Sequence, residues 1–383
     1  MLKLSRLLAA FLLLLSGFAA QAQPLRCELN GESVNPANGS TTAGKTGLMR
    51  CRTEDGALQH EEELKNGKFM GRRVFYSREG RKEHNVNEKG NLDGVAREFY
   101  PGGKLKDEAL YSNGERSGLG KHFYESGQLE RLSFAVIRNG GNSERSISLE
   151  YTEDGKLTAL QCGTRSLLPE DRAPCGFAGA PSKVEFYRRS RNSTSLVKRA
   201  SYREGVLVES TDLNDAGQPQ RSYSLKDGVE TTREYFPDGK PRRERALSRD
   251  GNERGRDGSE REWANNGQMI LEKRYAGGAE TGATEWFMNG NLKQKRVSEG
   301  AGRDALVRSE RYYDTGKLAE RSTTRAGRPM GKRESFDEAG TLREEAIYDE
   351  RGVLKNKRSF DEHGKLSADE EYFEDGSRKL KPL

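Results

Sequence analysis

This sequence is short of the material for a deep core. Hydrophobic residues make up 32% of it, against about 45–50% in ordinary globular chains, while 33% of residues are charged. Histidine is scarce: His60, His84, His122 and His363 are scattered, with no H-E-x-x-H and no pair at ligand spacing, which excludes the usual zinc sites. The nucleophile elbow G-x-S-x-G is absent. The carboxylates recur at equivalent places along the chain, as a charged surface does, rather than gathering in one place as an active site would. No catalytic residue, cofactor or metal is therefore expected, and the chain does not read as an enzyme. The basic excess is small, a formal +6 spread along the chain, so the clustered basic face of a nucleic-acid binder is missing too. Beyond the first fifteen residues no apolar run approaches the roughly 20 residues that span a bilayer.

Glycine, by contrast, is plentiful, 44 of 383 residues, and its placement is periodic. The stretch from Gly94 to Gly118 contains two short strand-like runs, joined first at Pro101-Gly102-Gly103 and then at Asn113-Gly114, where glycine admits the positive φ of a tight turn. The first-turn glycine recurs at Gly56, Gly80, Gly103, Gly127 and Gly155, then at Gly239, Gly267, Gly290, Gly316, Gly340 and Gly364, at steps of 23 to 28 residues. A large apolar pair brackets most of these turns: Tyr100/Leu105, Tyr124/Leu129, Tyr151/Leu157, Trp263/Ile270, Phe287/Leu292, Tyr313/Leu318, Phe336/Leu342 and Phe360/Leu366. Charged dipeptides precede them, such as Arg97-Glu98, Arg233-Glu234 and Arg261-Glu262. One large apolar group per strand among charges predicts a strand with one face on a thin core and the other in water, with ion pairs across strands on the wet face. The second connection carries Gly-x-x-x-Gly, at Gly67/Gly71, Gly90/Gly94, Gly114/Gly118, Gly251/Gly255, Gly278/Gly282 and Gly327/Gly331. The expected fold is all-β: an elongated antiparallel meander of repeated hairpins, either an open ribbon or a coiled solenoid.

The run Tyr111-Ser112-Asn113-Gly114, then Gly118, Tyr124, Gly127 and Leu129 resembles the MORN-repeat variants, and the likeness extends over residues 53 to 378. Chains of these variants are grouped as YwqK-type antitoxins. The resemblance implies a toxin or effector protein as partner, neutralised by direct contact.

The ends and interruptions have their own chemistry. Lys3 and Arg6, an apolar run from Leu7 to Leu15, and Ala20-Gln21-Ala22 predict a signal peptide over residues 1–22 and a mature start at Gln23, hence export to the periplasm or beyond. Removing it lowers the formal charge from +6 to +4 and leaves no transmembrane span. In an oxidising compartment four cysteines suggest two disulfides with three connectivities. The pairs nearest in sequence, Cys27 with Cys51 and Cys162 with Cys175, are favoured over a metal or redox site, because no Cys-x-x-Cys occurs and no histidine is near in sequence. Residues 23–47 read as an irregular cap and 48–160 as a first array. Residues 161–182 read as a proline-rich insertion, 183–230 as degenerate repeats, and 231–383 as a second array. Gly39 to Thr46 matches the P-loop pattern G-x-x-x-x-G-K-[ST], but no buried strand precedes it and the chain has no room for a helix after it, so a glycine-rich loop is expected.

These features point to an exported, non-catalytic scaffold that binds a protein. Trp263, Trp286, Tyr312 and Tyr313 form a candidate binding stripe. The other reading is an envelope module holding lipid or cell-wall polymer, with peripheral membrane contact through the basic tail at 378–381.

Overall fold

The computed structural model describes residues 25–136, 146–190, 193–248, 257–300, 302 and 304–382. The signal segment 1–22 and the Gly251/Gly255 pair lie outside the described residues. Among these residues are thirty strands and two helices of four residues each, divided after Ser143 into two units.

The repeat follows from two kinds of turn. At Tyr100 the amide donates to the Lys104 carbonyl and the Gly103 amide donates back to the Tyr100 carbonyl, each at 2.8 Å, closing a three-residue loop. Counting this one, the same pair of bonds occurs fourteen times among the described residues, from Thr53 to Phe373. The second kind is a two-residue turn with positive φ at both positions, as at Asn113 (49°) and Gly114 (91°), the primed turn whose twist matches its strands. Gly118, at φ 76°, follows beside a register shift between Ala109 and Tyr111. The Gly-x-x-x-Gly spacing here is thus a turn glycine followed by a bulge glycine.

Two expectations about these turns are corrected. Gly80 does not close a three-residue loop: Ser77 pairs with Gly80 directly across Arg78-Glu79. Gly90, assigned above to the second connection, closes the first kind, its amide donating to Asn87.

In the first unit the strands from Gly47–Arg52 to Leu129–Ala135 pair antiparallel with their sequence neighbours. The segment expected to be an irregular cap instead forms the strands Arg26–Leu29 and Glu32–Val34, and the first of these also pairs with Gly47–Arg52. Cys27, Leu29, Val34, Met49, Cys51 and Leu64 bury one another there, with Phe69 against them. These short strands carry enough alternating apolar residues to cover the end of the array, which would otherwise face water.

In the second unit the strands from Val184–Arg189 to Arg378–Leu380 form one eighteen-stranded antiparallel sheet in sequence order. It is open, with those two strands at opposite ends of the order. The stretch expected to be degenerate supplies regular pairs, Val184–Arg189 with Thr194–Arg203 and onward. The proline-rich insertion folds back on that hairpin: the Gly205 amide donates to Cys175, and the Ser182 amide to Tyr202. Val184, Phe186 and Ala200 are buried beneath Leu157, Leu160, Tyr202 and Leu207. The structure joins Cys27 to Cys51, Cα atoms 4.0 Å apart, and Cys162 to Cys175, 5.7 Å apart.

Candidate functional site: a charged ladder with an aromatic edge

Both faces of the second sheet carry charge, not one. A strand alternates its side chains between faces, so a dipeptide such as Arg261-Glu262 places one charge on each. One face holds a continuous row of directly opposed residues: Arg233, Glu244, Arg261, Glu272, Thr284, Lys295, Glu310, Arg321, Glu334, Glu345, Arg358 and Asp369. The charges alternate, apart from Thr284 and the acidic neighbours Glu334 and Glu345. Lys332 bridges those two, its Nζ 2.8 Å from Glu334 and 2.5 Å from Glu345, and both carboxylates hold its ammonium above the usual lysine range. On the reverse face Arg311 and Arg333 share Glu320, at 2.6 and 2.8 Å.

Three of the ladder's four arginines span two rungs, while Arg233 at its end reaches Glu244 alone. Arg261 sends Nε to Glu272 at 3.0 Å and Nη1 to Glu244 at 3.1 Å. Arg358 sends Nε to Asp369 at 3.2 Å and Nη1 to Glu345 at 3.3 Å. Arg321 sends Nε to Glu310 at 3.1 Å, with Nη1 3.6 Å from Glu334. Glu310 titrates below the usual carboxylate range because the Tyr312 hydroxyl, and then Arg321, stabilise its charge.

Two residues along from the ladder on the aromatic strands, and three on their partners across a bulge, stands a row of large apolar pairs: Trp263 opposite Met269, Trp286 opposite Leu292, Tyr312 opposite Leu318, Phe336 opposite Leu342 and Phe360 opposite Leu366. All ten are half-buried. Tyr312 shares the ladder's face, its hydroxyl 2.8 Å from Glu310.

This register corrects several of the expected pairs. Leu105, Leu129, Leu292 and Leu318 meet the first aromatic of each doublet, Phe99, Phe123, Trp286 and Tyr312, because the second, such as Tyr100, opens the turn. Trp263 meets Met269, and Ile270 is the extra residue of a bulge. Of the candidate stripe, Trp263, Trp286 and Tyr312 therefore occupy one register position. Tyr313 differs, donating its hydroxyl to the Phe336 carbonyl.

The structure also absorbs the remaining motifs. Lys45, which a P-loop would aim at phosphate, pairs with Glu32 at 2.7 Å. The loop around it receives the next turn, the Gly67 amide donating to Lys45 and the Asn66 amide to the Thr46 hydroxyl. The helix Gly39–Thr42 lies inside the pattern rather than after it. A histidine does stand by the first cysteine pair: His60 is opposite Cys51, and the ligand atoms of Cys27, Cys51 and His60 lie within 4.8 Å of one another. Sequence distance concealed it. The two sulfurs are bonded to each other, and thiolates, not a disulfide, ligate metals.

An open hollow of about 800 Å³ is lined by Glu185, Arg199, Glu209, Ser182, Ser201, Ser210 and Thr211 among others. Its Glu185 is held below the usual carboxylate range by the Tyr187 hydroxyl and then by Arg199. No helix among the described residues is long and apolar enough to cross a membrane.

The MORN repeat variant family matches residues 92–113 and 116–134, the hairpins containing Gly94–Phe99 and Leu129–Ala135. No curated protein matches the chain in sequence. Among solved structures it is similar to a TcdB2-TccC3 structure at 12% identity and TM-score 0.17, covering 88% of this chain and 24% of that one. It is also similar to a Tc holotoxin pore of Photorhabdus luminescens with a mutation in TccC3, at 11% identity and TM-score 0.18, covering 87% and 23%. The chain thus spans about a quarter of the length of those chains.

Proposed function

We propose, from its MORN repeat variants and the surface they build, that this chain is an exported, non-catalytic scaffold that binds another protein, in its sharpest form an antitoxin-like neutraliser in the periplasm. The observation that carries this reading is the twelve-position ladder bordered by half-buried aromatics, a repeated surface suited to an extended contact. Two disulfides support an oxidising destination. The Lys45 ammonium, engaged by Glu32, supports a role without nucleotide chemistry.

The test is capture with the tagged full chain from the envelope fraction of its own cells. One protein retained in fixed ratio is expected, encoded beside this chain if it is an effector. Retention of lipid or glycan alone would replace the scaffold with an envelope-polymer module. A thermal shift with Mg-ATP that Lys45→Ala abolishes would replace it with a nucleotide enzyme.

A further inference from the structure

The ladder's charges are layered by depth. The carboxylates lie low and the cations stand over them: Glu345 has 11% of its side chain exposed and Arg358 45%. Glu244 has 11% and Arg261 37%, while Glu272 has 16% and Arg274 72%. A long arginine lays its stem over a shorter acid and keeps its head in water, so the layer a partner meets is guanidinium.

Those guanidiniums retain donors. A guanidinium has five N–H groups in a fixed fork. Arg261, Arg321 and Arg358 turn Nε and Nη1 toward the two acids beneath, and their hydrogen bonds among the described residues come from Nε and Nη1 rather than Nη2. With strands about 4.8 Å apart, Arg321 and Arg358, three strands apart in sheet order, stand about 14 Å from one another.

We infer that this face docks an extended acidic segment of a partner protein, its carboxylates on the outer guanidinium layer and its apolar side chains on the row of Trp263, Trp286 and Tyr312. The inference rests on the protein-binding reading and adds the chemistry of the partner. A protein segment is favoured over a nucleic acid or an anionic membrane by the charge sum. The ladder sets five cations against six acids, so the long-range field that gathers polyanions is weak, while short bidentate bonds and apolar contact remain available.

The probe is a random copolymer of glutamate and tyrosine in 4:1 ratio, titrated against the full chain. A lysine–tyrosine copolymer, heparin and anionic vesicles serve as the other arms. The acidic copolymer is expected to bind at least tenfold tighter than any of these. Arg261→Lys/Arg321→Lys/Arg358→Lys, which keeps the charge over the buried acids but removes the fork, is expected to weaken it at least fivefold. The matching reverse-face set, Arg311→Lys/Arg333→Lys with Lys357→Arg, is expected to change it less than twofold. Equal binding by the ladder variant, equal loss in both sets, or tighter binding of heparin or vesicles overturns the inference. A natural partner captured as well by the ladder variant as by the native chain leaves the scaffold standing and removes this docking mode. Copolymer binding with no protein captured does the reverse.

Discussion

The Tyr313 hydroxyl donates to the backbone carbonyl of Phe336 at 2.8 Å, one repeat downstream. In the other unit Tyr100 does the same to Phe123 at 2.7 Å, also 23 residues on. Neighbouring turns add parallel contacts, Lys317 Nζ to the Ala339 carbonyl and Lys104 Nζ to that of Glu125. The repeats are thus tied along the turn edge as well as through strand pairing.

Removing one tie should be measurable. Tyr313→Phe deletes a part-buried bond and keeps the ring, so a loss of about 1 kcal/mol is expected. Tyr100→Phe should cost a similar amount. The two lie in different units, so urea unfolding of the double variant should show the two losses adding to within about 0.5 kcal/mol. A sum far from additive would mean that the two ties are energetically coupled.

Turn chemistry gives a reciprocal pair. Ala326 holds φ 51° and Asn66 φ 50° at the same position of a two-residue turn. Left-handed backbone disfavours alanine and is tolerated by asparagine. Ala326→Asn should therefore stabilise by about 0.5–1 kcal/mol and Asn66→Ala should destabilise by a similar amount. Thermal melts of both variants check it; shifts of the same sign would contradict it.

How much of this was legible in sequence follows from the range of each interaction. The turns were legible because a positive φ is a local demand that glycine and asparagine meet openly. The aromatic partners were read one residue out in the doublets, since the bulge is set by where the turn bonds close, at Tyr100 and Lys104, and a tyrosine in the turn looks like one in the strand. The ladder was legible only as alternating charge. Which acid meets which arginine depends on register carried over twelve strands, as with Arg321 bridging Glu310 and Glu334. His60 beside Cys27 was invisible because two strand pairings bring them together.

The Cys162–Cys175 bond closes the insertion that packs on the Thr194–Arg203 hairpin. A loop of 13 residues corresponds to about 3 kcal/mol of chain entropy in the unfolded state. Cys162→Ser/Cys175→Ser should lose about that much and open the chain to protease between the two positions before the sheet is cut. Cleavage beginning in the sheet instead would show that the insertion holds without its crosslink.

Stability should fall on the acid side, with a sign fixed by the ladder and the reverse face together. For Glu260, Glu272 and Glu320 burial comes first and pushes the pKa up, but Arg243, Arg261 and Arg333 respectively lead the interactions that more than offset it, so all three titrate below their ordinary value. Glu310 is lowered chiefly by Tyr312. In the unfolded chain each carboxyl titrates at about 4.3. Between the two values the unfolded state binds more protons than the folded one, so stability drops as pH falls. The contribution is full above about pH 5 and is lost progressively below about 4.3. Urea midpoints at pH 7, 5, 4 and 3 should be level over the first step and decline over the rest. Arg321→Gln, which strips Glu310 and Glu334 of a shared cation, should start lower at pH 7 and decline less steeply. A native chain with the same midpoint at pH 3 as at pH 7 would show that these carboxylates are not held in the ionised form by their arginines.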